Sequence, residues 1–439
     1  MPKVIIIGAG LVGTSMAVAL QKQGFEVSVY DKIEVSAEVS KGKRYLEFGE
    51  TGGSLGIQAN GMLVLDRLEL LDKVLEQPHT LLEGMTFLNA DGSDPVFRST
   101  ISNNLPDRFK KDVHLMRSHL QNVIMRKCGE SGVRMFINMK LESFSQTDSE
   151  VTVKFSDGTT VTGDYLVGAD GIHSNVRRIL FPEHPKAEYF CGGYLGVFQH
   201  GKKVGDATLQ LKYPLSIYMN GLTGSAVFAA RVGDSLGAWN VLLAKSHDGD
   251  ASANAANDDW RPAANLPQEA ARLADLVKEW QSPPNLVDAV LHADRITPIN
   301  VYDLPNLPKW HKGRVLLAGD SAHGMLPSFG HGLGQGLEDV SVLADLFAEL
   351  GGVYADHRKV FELYDKIRIP RAHSVANTSR NASSTTFTNS KLREKVMRTM
   401  MKFAFWLSNV LKLNDVVGAH DVRLDVKKAL AAENIIIAK

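Results

Sequence analysis

The sequence predicts an α/β protein in which strand–helix units of the nucleotide-binding type flank a β-rich insertion, with a helical region at the C-terminus. Three observations carry that prediction. A β-branched run, Val4 to Ile7, leads into glycines at 8, 10 and 13 and then into a helix-periodic stretch. From about residue 180 to 300 the pattern changes to short alternating segments, such as Ala207 to Tyr213 and Ser225 to Val232. Gly313 to Ala318 then returns to a buried-strand pattern, followed by a helical one over Gly336 to Leu350.

The elements follow in order. Thr14 to Lys22 has helical periodicity, Gly24 stops it, and Glu26 to Tyr30 alternates as a second strand. Residues 36 to 60 are rich in Gly, Ser and Lys and read as a long loop. Asn60 to Leu75 and Leu115 to Gly132 read as helices, and short strands then close at the hairpin dipeptide Asp157-Gly158. Within the insertion, Ala251 to Asp259 is a polar loop and Pro267 to Trp280 a short helix. Asn377 to Ser390, rich in Ser, Thr and Asn, is expected to cover the surface. Val396, Met400, Phe403, Leu407, Val410 and Leu411 share one helical stripe, which predicts a helix packed on the body; membrane contact or a dimer seam is the alternative. The most apolar part of that segment, Phe403 to Leu411, falls far short of the about 20 residues a spanning helix needs. No transmembrane anchor is expected, and the chain is expected to be a monomer or homodimer.

Composition narrows the function. Of 439 residues, 44% are apolar and 22% charged, and 49 basic residues balance 49 acidic ones. That is an ordinary globular composition. A neutral chain lacks the cationic excess on which nucleic-acid affinity rests, so no nucleic-acid partner is expected. Cys128 and Cys191 cannot form a disulfide scaffold or a four-thiolate zinc site. No metal site is predicted, and a reducing, cytoplasmic location is expected. The N-terminal apolar run carries three spaced glycines and no cleavage site, which favours a strand and turn over a signal peptide.

Gly8-x-Gly10-x-x-Gly13 stands where a Rossmann-like dinucleotide site requires it, after an apolar strand and at the start of a helix. Gly8 permits the tight turn, Gly10 lets backbone approach a pyrophosphate, and Gly13 lets helix and strand pack closely. Helix N-terminal N–H groups then hold the phosphates. Asp31 ends the second strand, roughly 20 residues on, where an acid binds a ribose hydroxyl. This spacing does not distinguish FAD from NAD.

Two further segments are read by resemblance. Tyr165-Leu-Val-Gly-Ala-Asp-Gly-Ile-His-Ser-Asn-Val-Arg-Arg178 resembles the Asp-Gly motif of the group A FAD-dependent monooxygenases, the aromatic hydroxylases typified by p-hydroxybenzoate and salicylate hydroxylases. Gly313-Arg-Val-Leu-Leu-Ala-Gly-Asp320-Ser-Ala-His323-Gly-Met-Leu-Pro327 resembles their Gly-Asp motif. Gly330-His-Gly332-Leu-Gly-Gln-Gly336-Leu-Glu338-Asp339 resembles the glycine-rich helix start that follows it. The resemblance spans roughly residues 3 to 375. It implies a glutathione-reductase-type FAD-binding domain over 1–180 and 295–375, interrupted by a β-sheet substrate domain over 181–294. Short segments near 75–115 would join that sheet, and residues 376–439 form the helical C-terminal region.

The resemblance also assigns residues. Gly319 and Asp320 end an apolar strand and would meet the ribityl–pyrophosphate part of FAD. Asp170, with Gly171, would serve near FAD and the nicotinamide path, and Arg117 would contact FAD. Arg44 falls in the loop where the family often places a flavin-contacting arginine. Pro327, Gly330 and Gly332 leave bare backbone for a flat ring. His331 and Gly334 depart from the Gln and Asn common in the family. The implied reaction uses NADH or NADPH to reduce non-covalently bound FAD, which reacts with O2 to a C4a-hydroperoxide that transfers one oxygen atom to an aromatic or other electron-rich small molecule. The protein's part is position, electrostatics and exclusion of water. No second GxGxxG appears, so no separate NAD(P)H domain is expected. Substrate-pocket candidates on the insertion are His200, Tyr213, Tyr218 and Arg231, with Tyr194 and Gln210 also polar or aromatic there; no catalytic acid or base is assigned. Epoxidation, Baeyer–Villiger-type oxidation or reduction on the same fold, and a non-catalytic dinucleotide sensor, are the alternatives.

Overall fold

Val4, Ile5, Ile6 and Ile7 are all buried because their strand, Lys3–Ile7, has a neighbour on each side and helices above and below. A computed structural model of the chain describes residues 1–34, 52–243, 262–328, 330–386, 391–411 and 415–434. In it the first sheet has six strands, ordered His311–Lys312, Val315–Leu317, Tyr165–Gly168, Lys3–Ile7, Glu26–Tyr30, Arg134–Phe136. All neighbours are parallel except the first pair. Residues far apart in sequence thus lie side by side: Ile6 opposes Val29 and Val167, and Val167 opposes Leu316. The helices Leu11–Lys22 and His331–Glu349 share one apolar core with this sheet.

The insertion supplies a seven-stranded sheet, ordered Arg295–Asp303, Glu188–Gln199, Leu236–Leu243, Ser225–Val232, Leu215–Asn220, Gly84–Asn89, Val96–Ser99. It reaches past residue 294 and takes in residues 84–99. Pairing is antiparallel except between Leu215–Asn220 and Gly84–Asn89. One face packs through Tyr194, Phe198, Tyr218 and Trp239 onto the helices Leu266–Glu279 and Pro284–Leu291. A three-stranded sheet, Ser54–Ile57, Asp112–Met116 and His79–Leu82, completes the scaffold around the site.

Several sequence expectations need correction. The helix expected over Asn60 to Leu75 is two, Ala59–Arg67 and Leu71–Leu75, because Glu69 takes a left-handed conformation (φ 60°) between them. Leu115 and Met116 end a strand, and the helix there is Arg117–Glu130. Ala207 to Tyr213 is no full strand: only Ala207–Thr208 pairs, with Lys203–Val204. The Ser/Thr/Asn-rich stretch from Asn377 continues a helix, His357–Thr386, whose Ser379 and Ser383 are buried. Small hydroxylic side chains let that helix approach its neighbours; Ser328 Oγ donates to Ser379 O at 3.1 Å. Of the C-terminal apolar stripe, Val396, Met400, Phe403, Val410 and Leu411 are exposed, and the helix packs on the body through Met401 and Phe405 instead. The polar loop at 251–259 and Arg44 lie outside the described residues.

Candidate active site

The turn after the first strand is tied down by backbone. Gly8 N donates to Tyr30 O at 2.8 Å, and Gly8 has φ 109°. A Cβ on Gly8 would run into Ala169 O, and one on Gly13 into Gly8 O, so both glycines serve close packing. Gly10 differs: nothing lies within 4 Å of where its Cβ would stand. It caps the helix Leu11–Lys22 and looks into open space. Asp31 shapes the turn, accepting from Ala9 N at 2.6 Å and Ile33 N at 2.8 Å. A carboxylate has about four acceptor positions, so capacity for a ribose hydroxyl remains. Gln121 Nε2 donates to Ala9 O at 3.0 Å and braces the turn from behind.

Across the cradle, Asp320 opens a short helix after the strand Val315–Leu317. Gly319 before it has φ 64°, and its N–H donates to Asp339 Oδ2 at 2.8 Å. Asp320 is enclosed by protein yet faces the cleft, so its side chain is accessible while burial raises its carboxyl above the usual range; His323 and Arg117 oppose that rise. Asp170 also has a raised carboxyl, from burial, although Ser174 Oγ and Asn175 N donate to it. It therefore caps the helix Asn175–Leu180 and holds Gly171 (φ 81°) at the cleft wall.

Below these lies a buried charge network. Arg368 pairs with Asp339 at 2.7 Å and Glu338 at 2.6 Å, and Arg371 pairs with Glu338 at 2.6 Å. Burial works to raise both carboxyls, but His323 and then Arg368 hold Asp339 below its usual value, and Arg368 and then Arg371 hold Glu338 below its own. The network ties down the second and third turns of the helix His331–Glu349. Gly334 is explained here: a Cβ would approach the Asn60 amide to 2.8 Å, and Asn60 Nδ2 donates to Glu338 Oε1 at 2.8 Å. His331 is buried, contacts Gln58 Oε1 through Nδ1 at 2.8 Å, and is pushed down to about 4 by burial, aided by Arg98 and Arg371. It is neutral at pH 7.

One cavity of about 520 Å³ joins these parts to the seven-stranded sheet. Gly10, Arg117, Gly171, Asp320, Pro327, Gly330 and Gly332 line one portion. Leu82 from the three-stranded sheet and Met85, Leu215, Ile217 and Phe228 from the seven-stranded sheet supply apolar lining. Three polar residues that sequence reading did not single out, Asp112, His114 and Asn240, also line it. Neither ring nitrogen of His114 nor Oδ1 of Asn240 has a hydrogen-bond partner among the described residues. Burial pushes Asp112 up to about 7 and His114 down to about 4. Buried polar atoms without partners are costly unless a ligand satisfies them. Asp112 and His114 sit two apart on one strand, so both face the cavity.

Of the expected cofactor residues, Gly8, Gly13, Asp31, Asp170 and Gly319 stand behind this wall and shape it. His200, Tyr213, Tyr218 and Arg231 do not line the cavity. Leu215 and Ile217 point into it, so Tyr218 points away, into the core with Trp239. Ala230 likewise lines it and Arg231 does not. His200 Nε2 accepts from Leu211 N at 3.4 Å. Tyr213 packs against the helix-covered side of the sheet.

The FAD binding domain family matches residues 1–197 and 258–379, and the chain belongs to that family. The group A monooxygenase resemblance read from the three motifs stands with it. Among curated relatives, the chain is 25% identical over 382 residues to 3-amino-4-hydroxybenzoate 2-monooxygenase PtmB3 of Streptomyces platensis, covering 86% of this chain and 87% of that protein. It is 28% identical over 408 residues to hispidin-3-hydroxylase of Neonothopanus nambi, covering 86% and 87%. Among solved structures, Klebsiella pneumoniae HpxO in complex with FAD and uric acid superposes with a TM-score of 0.72 at 19% identity, over 95% of this chain and 96% of that one, which shows the shared fold.

The cradle fits FAD on its own geometry. Gly10 leaves room at a helix N-terminus for a pyrophosphate, Asp320 offers an accessible carboxylate to a polyol, and Pro327, Ser328, Gly330 and Gly332 border the joined cavity.

Proposed function

We propose that this protein is an FAD-dependent monooxygenase that uses NADH or NADPH and O2 to place one oxygen atom on an aromatic or other electron-rich small molecule. The observation that carries the reading is the continuity of one cavity from Gly10 and Asp320 to Ile217 and Asn240. A redox cofactor and an apolar substrate could meet there away from bulk water. FAD, when bound, supplies the redox chemistry with O2.

The chain's own residues do the rest. Gly10 and the N–H groups of the helix behind it receive the pyrophosphate. Asp31 accepts from the ribose, and Asp320 from the polyol chain, with Arg117 beside it. Gly330 and Gly332 leave a flat backbone surface for the ring, and the start of the 19-residue helix behind them favours negative charge on it. Leu82, Met85, Leu215, Ile217 and Phe228 hold an aromatic body and exclude water. His114, neutral, both donates and accepts toward a substrate polar group, and Asn240 Oδ1 accepts. Asp112, whose carboxyl titrates near neutrality, is suited to take a proton from a substrate hydroxyl. The discontinuous FAD domain and the inserted sheet divide these tasks.

The test is direct. Purified protein should be yellow and release FAD on heating. NAD(P)H consumption and O2 uptake should rise with a member of a phenol panel and yield a product heavier by one oxygen atom. Asp320→Ala should lose most of its flavin absorbance. Colourless protein that neither carries nor rebinds FAD would overturn the reading, and flavin turnover giving only peroxide across the panel would point to other substrates.

A further inference from the structure

The apolar stripe near the C-terminus belongs to a 21-residue helix, Lys391–Leu411. One side of this helix is fastened to the seven-stranded sheet. Met401 and Phe405 pack against Met85, Phe87, Val96, Ile217 and Met219, and the Phe405 and Phe87 rings lie 5.4 Å apart. Asp94 receives Arg398 at 3.0 Å and Lys402 at 2.5 Å. Among the described residues, the opposite side has no such cover. Val396, Met400, Phe403, Trp406 and Val410 are each more than half exposed, Met400 by 66% and Phe403 by 63%. Their spacing of three or four residues sets them along one line. Phe403 and Trp406 stand beside each other, ring centres 6.0 Å apart.

Single exposed apolar residues need no explanation, whereas a continuous row marks a surface that meets something. The charges say what. The helix carries Lys391, Arg393, Lys395, Arg398 and Lys402 against Glu394 alone, in a chain whose net charge is zero. Even with Asp94 counted beside Arg398 and Lys402, five cations of this helix stand against two acids, a positive excess in its sequence. A second copy docked across a two-fold axis would set that excess against itself, and like charges across an interface are costly. A bilayer with anionic headgroups offers the opposite charge and, just beneath it, an apolar layer for Phe403 and Trp406.

We propose that the outer face of Lys391–Leu411 is a peripheral membrane-docking surface that lies flat on bilayers containing anionic phospholipid. No helix among the described residues is long and apolar enough to cross a membrane, so docking is in the plane of the interface. Fastening by Asp94, Met401 and Phe405 holds the row outward before any membrane is met, so no ordering cost is added on binding.

The full-length, FAD-loaded protein is sedimented with vesicles of phosphatidylcholine alone and of phosphatidylcholine mixed with phosphatidylglycerol. It should pellet with the mixed vesicles, stay largely in solution with the neutral ones, and be released by salt. The double substitution Phe403→Ser with Trp406→Ser should weaken pelleting at least about tenfold, and Lys395→Glu at least about fivefold. Both side chains in the double variant are mostly exposed, so flavin absorbance and melting midpoint should stay as in the wild type; if they do not, Val410→Ser at the end of the row serves instead. Failure of the wild type to pellet with mixed vesicles overturns the proposal. So does a concentration-dependent dimer in gel filtration that the double substitution breaks, because the row then belongs to a second copy.

Discussion

Gly8 and Gly10 look alike in the fingerprint and do different work. A side chain at Gly8 meets the backbone of Ala169 and needs a left-handed φ, so Gly8→Ala should cost several kcal/mol and unfold much of the protein. At Gly10 a side chain enters only the space a cofactor would fill. Gly10→Val should therefore keep its circular dichroism and melting transition close to those of the apoprotein while losing FAD affinity; unchanged flavin binding would count against the cradle. Asp112 makes a second residue-scale prediction. Its carboxyl is raised to about 7, so the folded state keeps a proton that the unfolded state releases near pH 4. Its contribution to stability is full below about pH 4 and falls as pH rises to about 7, by on the order of 1.4 kcal/mol per pH unit at the steepest. Asp112→Asn should lack that decline in denaturant titrations of the apoprotein from pH 4 to 8. A wild-type profile that is flat there, or a variant with the same slope, removes Asp112 from the cavity's proton balance.

At the scale of elements, the helix His357–Thr386 is joined to His331–Glu349 by Arg368 and Arg371 on Glu338 and Asp339. Arg368→Met should destabilise the protein by about 3–5 kcal/mol, since two carboxylates are left buried with one partner fewer. Arg371 is partly exposed, and Arg371→Met should cost less; equal costs in chemical denaturation would contradict this ranking. The same scale shows where the sequence was legible. Glycines and the carboxylates after apolar strands announce themselves, because turn geometry and phosphate chemistry allow few residue types. Parity in a sheet does not. Tyr218 and Ile217 are neighbours with opposite fates, and alternation alone leaves open which face meets helices and which meets the cavity. Aromatic and basic character drew attention to Tyr218 and Arg231, while the cavity face carries Ile217, Ala230 and Asn240. Asn240→Ala should accordingly alter the flavin spectral change produced by a bound phenol, and Tyr218→Phe should leave it as it was. The outward stripe of Lys391–Leu411 is a related case: periodicity reveals that a helix has an apolar side, not that the side finds a partner.

At the scale of the molecule, the interleaving of a nucleotide-type sheet with a β-rich insertion was readable, because apolar strand patterns return after residue 313. Asp112 and His114 were not, since they become important only when a strand from the first half faces a sheet from the second. That arrangement has a consequence in the order of synthesis. Gly10 leaves the ribosome roughly 300 residues before Asp320 and the Gly330–Gly332 backbone. At about 5–20 residues per second the interval is about 15 to 60 seconds. In its second half, once Tyr165–Gly168 has been made, that strand lacks its neighbour Val315–Leu317. The nascent chain has no complete cradle in this period, so cofactor capture is a closing event of biogenesis, and a chain cut short before residue 315 would leave the ribosome with an unfinished sheet.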